Sequence, residues 1–173
     1  MKSLNKSFPA MRRERQALSQ EACIEILKKE PRGVMALYDV NGYPYTVVLN
    51  HYYADGRLYF HGAKQGCKME ILKQNPKVCF CVMDQGTPKP NHWSLNFQSV
   101  VVFGEVKFIT DPQETKDWIY RFGKRYYPVD QAFWDSIKNC ENSLQMFYLE
   151  IHHMTGKLVN ESYKILLYIS SLE

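Results

Sequence analysis

Residues 33–62 carry two turn signals, Asn41-Gly42 and Asp55-Gly56, each between runs rich in β-branched and aromatic residues. The runs are "GVMALYDV", "YPYTVVLNHYY" and "RLYFHG". Asn-Gly and Asp-Gly suit tight turns whose central residues need positive φ, the geometry that matches the twist of paired strands. An antiparallel meander of three strands is the expectation, and it excludes an all-helical chain.

Downstream, the pattern alternates between short helices and long strands. Ser19 to Glu30 reads as an amphipathic helix, with Ser19 as N-cap and Ala22, Cys23, Ile26 and Leu27 at helical spacing; Pro31 and Gly33 stop it. Gly66 to Asn75 reads as a short helix ended by Pro76. "KVCFCVMD" is a strand, and residues 85–92, "QGTPKPNH", form a proline-rich loop from which a strand is not expected. Phe97 to Ile109 is a long strand in which Gly104 marks a bulge. Asp111, Pro112 and Glu114 form the start of a second long helix. A shorter helix lies around Asp130 to Asn139, and "LQMFYLEIHHM" closes the chain as a strand. About six strands, mostly antiparallel, with helices on the outside predict a small closed or half-closed barrel in the α+β class. Residues 1–10 read as a flexible leader and residues 11–173 as a single domain.

Composition narrows the functional classes. The net charge of +4 is mild and the basic residues are scattered apart from "MRRER", so a nucleic-acid partner is not expected. No apolar run approaches the roughly 20 residues of a membrane helix, and the N-terminus lacks a signal-peptide core, so no membrane partner and a cytoplasmic location are expected. The five cysteines, Cys23, Cys67, Cys79, Cys81 and Cys140, are odd in number and irregular in spacing. They predict neither a disulfide framework nor a metal site. Cys79 and Cys81 share one strand face. Trp93, Trp118 and Trp134 read as packing residues, Trp93 being the best placed to reach a neighbouring site.

The junction "YFHGAKQGCK", Tyr59 to Lys68, is richer than a plain connection needs. Gly62, Ala63 and Gly66 allow close approach of a ligand to the backbone. Lys64 and Lys68 bring positive charge, and the following helix turns its N–H groups and dipole the same way. That chemistry suits a phosphate, although an ordinary strand-to-helix loop with solvated lysines has the same letters. His61 is either held by a backbone partner or set beside a cofactor or substrate. In "PYTVVLN", Thr46 and Asn50 put polar groups on one face with Val48 between them. That face either hydrogen-bonds a flat heteroaromatic ring or is simply wet.

Taken in order, "MRRERQALS", "GYPYTVVLNHYY", "DGRLYFHGAKQGCKMEILKQNPKVCF", "VVVFGEV" and "EIHHMTGK" resemble the pyridoxamine 5′-phosphate oxidase-like superfamily, and within it the nitroimidazole-resistance (Nim) branch. The resemblance runs from about Met11 to Lys157. It implies a six-stranded, antiparallel FMN-binding split β-barrel, a homodimer with FMN at the subunit interface, and an FMN-dependent oxidoreductase. The strand Thr46, Val47, Val48, Leu49 and Asn50 would lie along the flavin ring. The loop His61, Gly62, Ala63, Lys64, Gly66, Cys67 and Lys68 would hold the phosphate, Lys68 most directly. His61 would stand by the ring as the catalytic residue, and Phe97 and Ser99 would cover the site. A nicotinamide donor and a nitroheteroaromatic acceptor are the small-molecule partners it implies. The alternative within the same fold is a non-catalytic flavin- or haem-binding module, with His51, His61, His152 and His153 as candidate axial ligands. The arginine-rich tail of true pyridoxamine 5′-phosphate oxidases is missing, so oxidation of pyridoxine phosphate is not expected.

Overall fold

The computed structural model of the chain describes residue 8 and residues 11–39, 41–90, 95–140 and 143–159. The leader other than Phe8, Trp93 and the tail beyond residue 159 lie outside the described residues. After a 3₁₀ turn at Glu14–Gln16, the order is α1 (Gln20–Lys29), β1 (Arg32–Tyr38), β2 (Pro44–Asn50), β3 (Tyr52–Ala54), β4 (Arg57–Ala63), α2 (Cys67–Gln74), β5 (Lys77–Met83), β6 (Thr87–Pro88), β7 (Leu95–Phe108), α3 (Pro112–Tyr126), α4 (Gln131–Cys140) and β8 (Leu144–Val159). The sheet runs β2-β1-β5-β7-β8-β4-β3, every pairing antiparallel. It curls into a half-barrel with helices at its flanks.

The local signals act as expected at most junctions. Asp55 (φ 51°) and Gly56 (φ 72°) make the two-residue turn between β3 and β4. The Ser19 side chain accepts a hydrogen bond from Ala22 N–H, and Asp111 accepts one from Glu114 N–H with Pro112 beside it. Gly104 sits where the β7–β8 register shifts, and a Cβ there would collide with the Glu150 carbonyl oxygen. The bulge is therefore enforced by close backbone approach.

Three expectations change. The Asn41-Gly42 turn is longer than two residues, because Tyr38 pairs with Pro44 and Gly42 N–H bonds to the Asp39 carbonyl at 3.0 Å. The middle strand of the meander is broken at His51 into β2, which pairs with β1, and β3, which pairs with β4. Its imidazole is fully buried and 2.8 Å from the Leu27 carbonyl oxygen, which fixes a corner of the sheet there. Finally, Thr87 and Pro88 form a two-residue strand on β7 inside the loop expected to hold none. A proline is tolerated there because the ladder is short and lies at an edge. These breaks raise the strand count from six to eight among the described residues.

Two apolar cores sit on opposite faces of the β4–β8 ladder. Leu58, Phe60, Phe147 and Leu149 point into the barrel, joined by Met35, Phe80, Val100 and Val102, and by Met69, Ile71 and Leu72 of α2. Tyr59 and Met146 point outward beneath α3, where Trp118, Ile119 and Phe122 cover them. Trp118 stacks on Tyr59 at 3.5 Å between ring centroids, so it packs as the sequence implied. No helix among the described residues is long and apolar enough to cross a membrane.

Candidate functional site

Strand alternation splits the end of β4. His61 pairs with Met146 and Gly62 with Gln145, so their outward directions are opposite. His61 belongs to the face under α3, where its ring packs edge-on against Phe122 at 4.8 Å. Gly62 belongs to the barrel side. A Cβ built on it would stand 2.6 Å from Lys68 Nζ, so the Lys68 side chain folds back from the first turn of α2 onto the space the glycine leaves. The same ammonium lies 5.6 Å from the centroid of the Phe147 ring.

The loop between them is held at both ends. Lys64 N–H donates to the Ser143 carbonyl at 2.9 Å. Gly66, at φ 110°, is the N-cap of α2, and no side chain caps the helix. A positive φ of this kind is open to glycine and closed to most other residues. The first N–H groups of α2 lack intrahelical acceptors and point from the positive end of the helix dipole. Ala63, Lys64 and Cys67 are exposed along this turn.

Electrostatics ties the residues together. Burial pushes the Lys68 ammonium below its ordinary range. Burial, and then the charge of Lys68, push the His61 imidazole down as well. Among the described residues no carboxylate pairs with Lys68. The pair is thus a half-buried cation beside an imidazole, each held below its ordinary pKa, an arrangement that an anion would relieve.

Beneath α3 and α4 lies a cavity of about 120 Å³ whose wall includes His61, Ile119, Phe122, Leu144 and Met146. Local sequence patterns miss it because it is made by the non-local β4–β8 pairing and by the docking of α4. The only sequence signal is the amphipathic character of the two helices.

The strand proposed for the ring lies elsewhere in the sheet. In β2, Tyr45, Val47 and Leu49 pack against the barrel core, and Thr46, Val48 and Asn50 point outward. Cross-strand pairing carries Val48 to Val34, Cys81, Val101 and Thr155 along one outward face. Ser99 and Phe97 fall on that face by alternation, Ser99 opposite Met83 and Lys157. Cys79 and Cys81 share it, as expected. The structure therefore brings Gly62 and Lys68 together, leaves His61 on the other face of β4 within reach of the Lys68 charge, and separately gathers Thr46, Val48, Asn50, Phe97 and Ser99 on the outward face. Helix α2 follows the loop and packs on β1 from the barrel side, through Met69, Ile71 and Leu72.

The remaining histidines have their own surroundings. His51 is committed to Leu27. His152 is half-exposed beside Glu150, and His153 stacks on Phe8 at 4.6 Å.

A curled antiparallel sheet with this order, and a glycine-lysine cradle at the strand-to-helix junction, define a split-barrel protein. The chain belongs to the pyridoxamine 5′-phosphate oxidase family, whose model matches residues 19–158. Among solved structures it is similar to a putative 5-nitroimidazole antibiotic resistance protein from Bacteroides thetaiotaomicron, with 24% identity over 82% of this chain and 86% of that one, and a TM-score of 0.70. A FAD-binding protein from Mesorhizobium loti is 22% identical over 84% of this chain and 98% of that one, with a TM-score of 0.63. A FAD and haem binding protein from Mycobacterium smegmatis is 16% identical over 89% of this chain and 79% of that one, with a TM-score of 0.70. At these identities the likeness establishes the common fold. No curated protein sequence matches the chain.

Proposed function

We propose that the chain is a flavoprotein that binds FMN and acts as an FMN-dependent reductase of the nitroimidazole-resistance type. The single observation that carries the reading is the half-buried Lys68 ammonium, folded over Gly62 without a carboxylate partner among the described residues. A phosphate seated there meets a desolvated cation, a backbone that no Cβ obstructs, and the uncapped start of α2. The names of the similar structures, two FAD-binding proteins and a putative nitroimidazole resistance protein, support a flavin as the cofactor class.

Bound flavin supplies electron transfer from a nicotinamide donor to an acceptor such as a nitroheteroaromatic. The chain supplies position and charge. Lys68 and the Gly62–Gly66 backbone fix the phosphate end. Neutral His61, at the edge of the same cradle, offers one ring N–H and one ring acceptor for orienting a small molecule or handing it a proton. The outward face of β2 is the surface proposed for the ring. Val48 is 65% exposed and Met83 55% exposed on that face, and a second copy of the chain laid against it would cover both and close the flavin site between subunits.

The test is direct. Purified protein should take up FMN and turn yellow, and NADH or NADPH should bleach it and sustain turnover of a nitroimidazole. Lys68→Ala should weaken FMN binding roughly tenfold or more, the value of a charge-assisted contact, whereas Lys73→Ala on the outer part of α2 should not. Colour without turnover from either donor would instead mark a flavin carrier, and a Soret band a haem module. Equal FMN affinity in the two variants would remove Lys68 from the site.

A further inference from the structure

The sheet order leaves a gap that no ladder closes. Strand β2 lies at one edge and β3 at the other, with β4 beside β3. Among the described residues no strand pairing joins β2 to β3 or β4. The strand proposed for the flavin ring and the strand that leads into the phosphate cradle therefore keep their spacing by other means. The chain passes from one edge to the other at His51, and backbone groups at such a corner have left the ladder and need partners.

Helix α3 supplies them through its last two residues. The Tyr126 hydroxyl accepts a hydrogen bond from the His51 N–H at 3.2 Å and donates to the Pro31 carbonyl at 2.7 Å, with the His51 carbonyl as a second acceptor in reach. Arg125 donates to the Glu30 carbonyl at 2.8 Å. The entry to β1 and the exit from β2 are thus tied to one point. Burial pushes the Tyr126 pKa up, so the hydroxyl keeps the proton it donates. At steps of four residues along the same side of α3, Phe122 packs edge-on against His61 at 4.8 Å, and Trp118 stacks on Tyr59 at 3.5 Å. Phe122 also stacks on Tyr126, with 5.1 Å between ring centroids. One stripe of α3, Trp118, Phe122 and Tyr126, therefore splints β4 to the end of β2.

We infer that Tyr126 is a positioning residue: through His51 it sets the spacing between the outward face of β2 and the Gly62–Lys68 cradle, so that one flavin engages both. This rests on the flavin reading of the site. FMN is a two-part ligand, a ring and a phosphate joined by a short linker. Such a ligand gains its extra affinity only where the two subsites stand at the span of the linker. A change of spacing therefore weakens the joined ligand and spares its separate parts.

Tyr126→Phe removes the hydroxyl and keeps the ring that stacks on Phe122. FMN, riboflavin and inorganic phosphate are titrated into the full chain, the flavins followed by fluorescence and phosphate by NMR of the His61 ring. FMN affinity should fall about three- to tenfold, the range of a neutral hydrogen bond, while riboflavin and phosphate each stay within about twofold. Lys68→Ala should differ by losing phosphate and FMN together. Arg125→Met, which frees the Glu30 carbonyl of the same clamp, serves if a thermal melt shows that Tyr126→Phe does not fold. Unchanged FMN affinity, or an equal loss of all three ligands, would overturn the inference alone. A natural chain that takes up no FMN would instead overturn the flavin site, and the inference with it.

Discussion

Gly62→Ala separates a binding role from a structural one more cleanly than any other substitution in the cradle. Position 62 lies in β4 with no positive φ, so alanine fits the backbone. The new methyl would stand 2.6 Å from Lys68 Nζ and 3.3 Å from Lys68 Cε. Both atoms are the far end of a flexible side chain, which swings aside by about an ångström at little cost. Removing a strand glycine returns about 0.5–1 kcal/mol of backbone entropy, so the melting temperature should stay level or rise. Displacing the ammonium, however, forfeits a charge-assisted contact worth about 1.5–3 kcal/mol, or roughly ten- to a hundredfold in affinity. Flavin fluorescence titration and a thermal melt on the same sample read both quantities. Unchanged FMN affinity at unchanged melting temperature would refute the reasoning, and a collapse of stability would make Gly62 a structural glycine only.

Two pH effects follow from the histidines. Burial drives the His51 pKa down to about 4, against the raising effect of the Leu27 carbonyl and with some help from the Arg125 charge. Its ordinary value is near 6.5, so between pH 6.5 and about 4 the unfolded chain takes up a proton that the folded chain refuses. Stability present at neutral pH should therefore fall by about 3 kcal/mol across that window. Urea midpoints should show the slope in the natural chain and lose it in His51→Gln; identical slopes would contradict the assignment. His61 is held down by burial and by Lys68, and a phosphate beside Lys68 should lift it. NMR titration of its ring should move to higher pH when FMN is added, and no movement would place the anion elsewhere.

Much of this architecture is legible locally, because its determinants are local. Ser19 and Asp111 cap helices, Asp55-Gly56 turns a chain, and Gly104 marks a bulge, each through contacts within a few residues or through the absence of a Cβ. The glycines and lysines of the Gly62–Lys68 loop are legible for the same reason. What the pattern could not supply is which way the pieces face. His61 and Gly62 are neighbours in sequence, yet strand alternation sends one toward α3 and the other toward Lys68, and the register with Met146 and Gln145 decides which. The break at His51 was hidden because alternation continues through it; only burial against Leu27 and the hydroxyl of Tyr126, which donates to the Pro31 carbonyl at 2.7 Å, turns a strand into a corner. The cavity was hidden because α4 lies far in sequence from β4.

The central claim is that the cradle of Gly62, Gly66 and Lys68 recognises the phosphate end of a flavin. Parallel titrations with FMN and riboflavin, which share a ring and differ in that phosphate, test it most directly. FMN should bind at least tenfold more tightly than riboflavin in the natural chain, with the difference largely gone in Lys68→Ala. Equal affinity for the two flavins, or a preference that survives loss of the lysine, would contradict it.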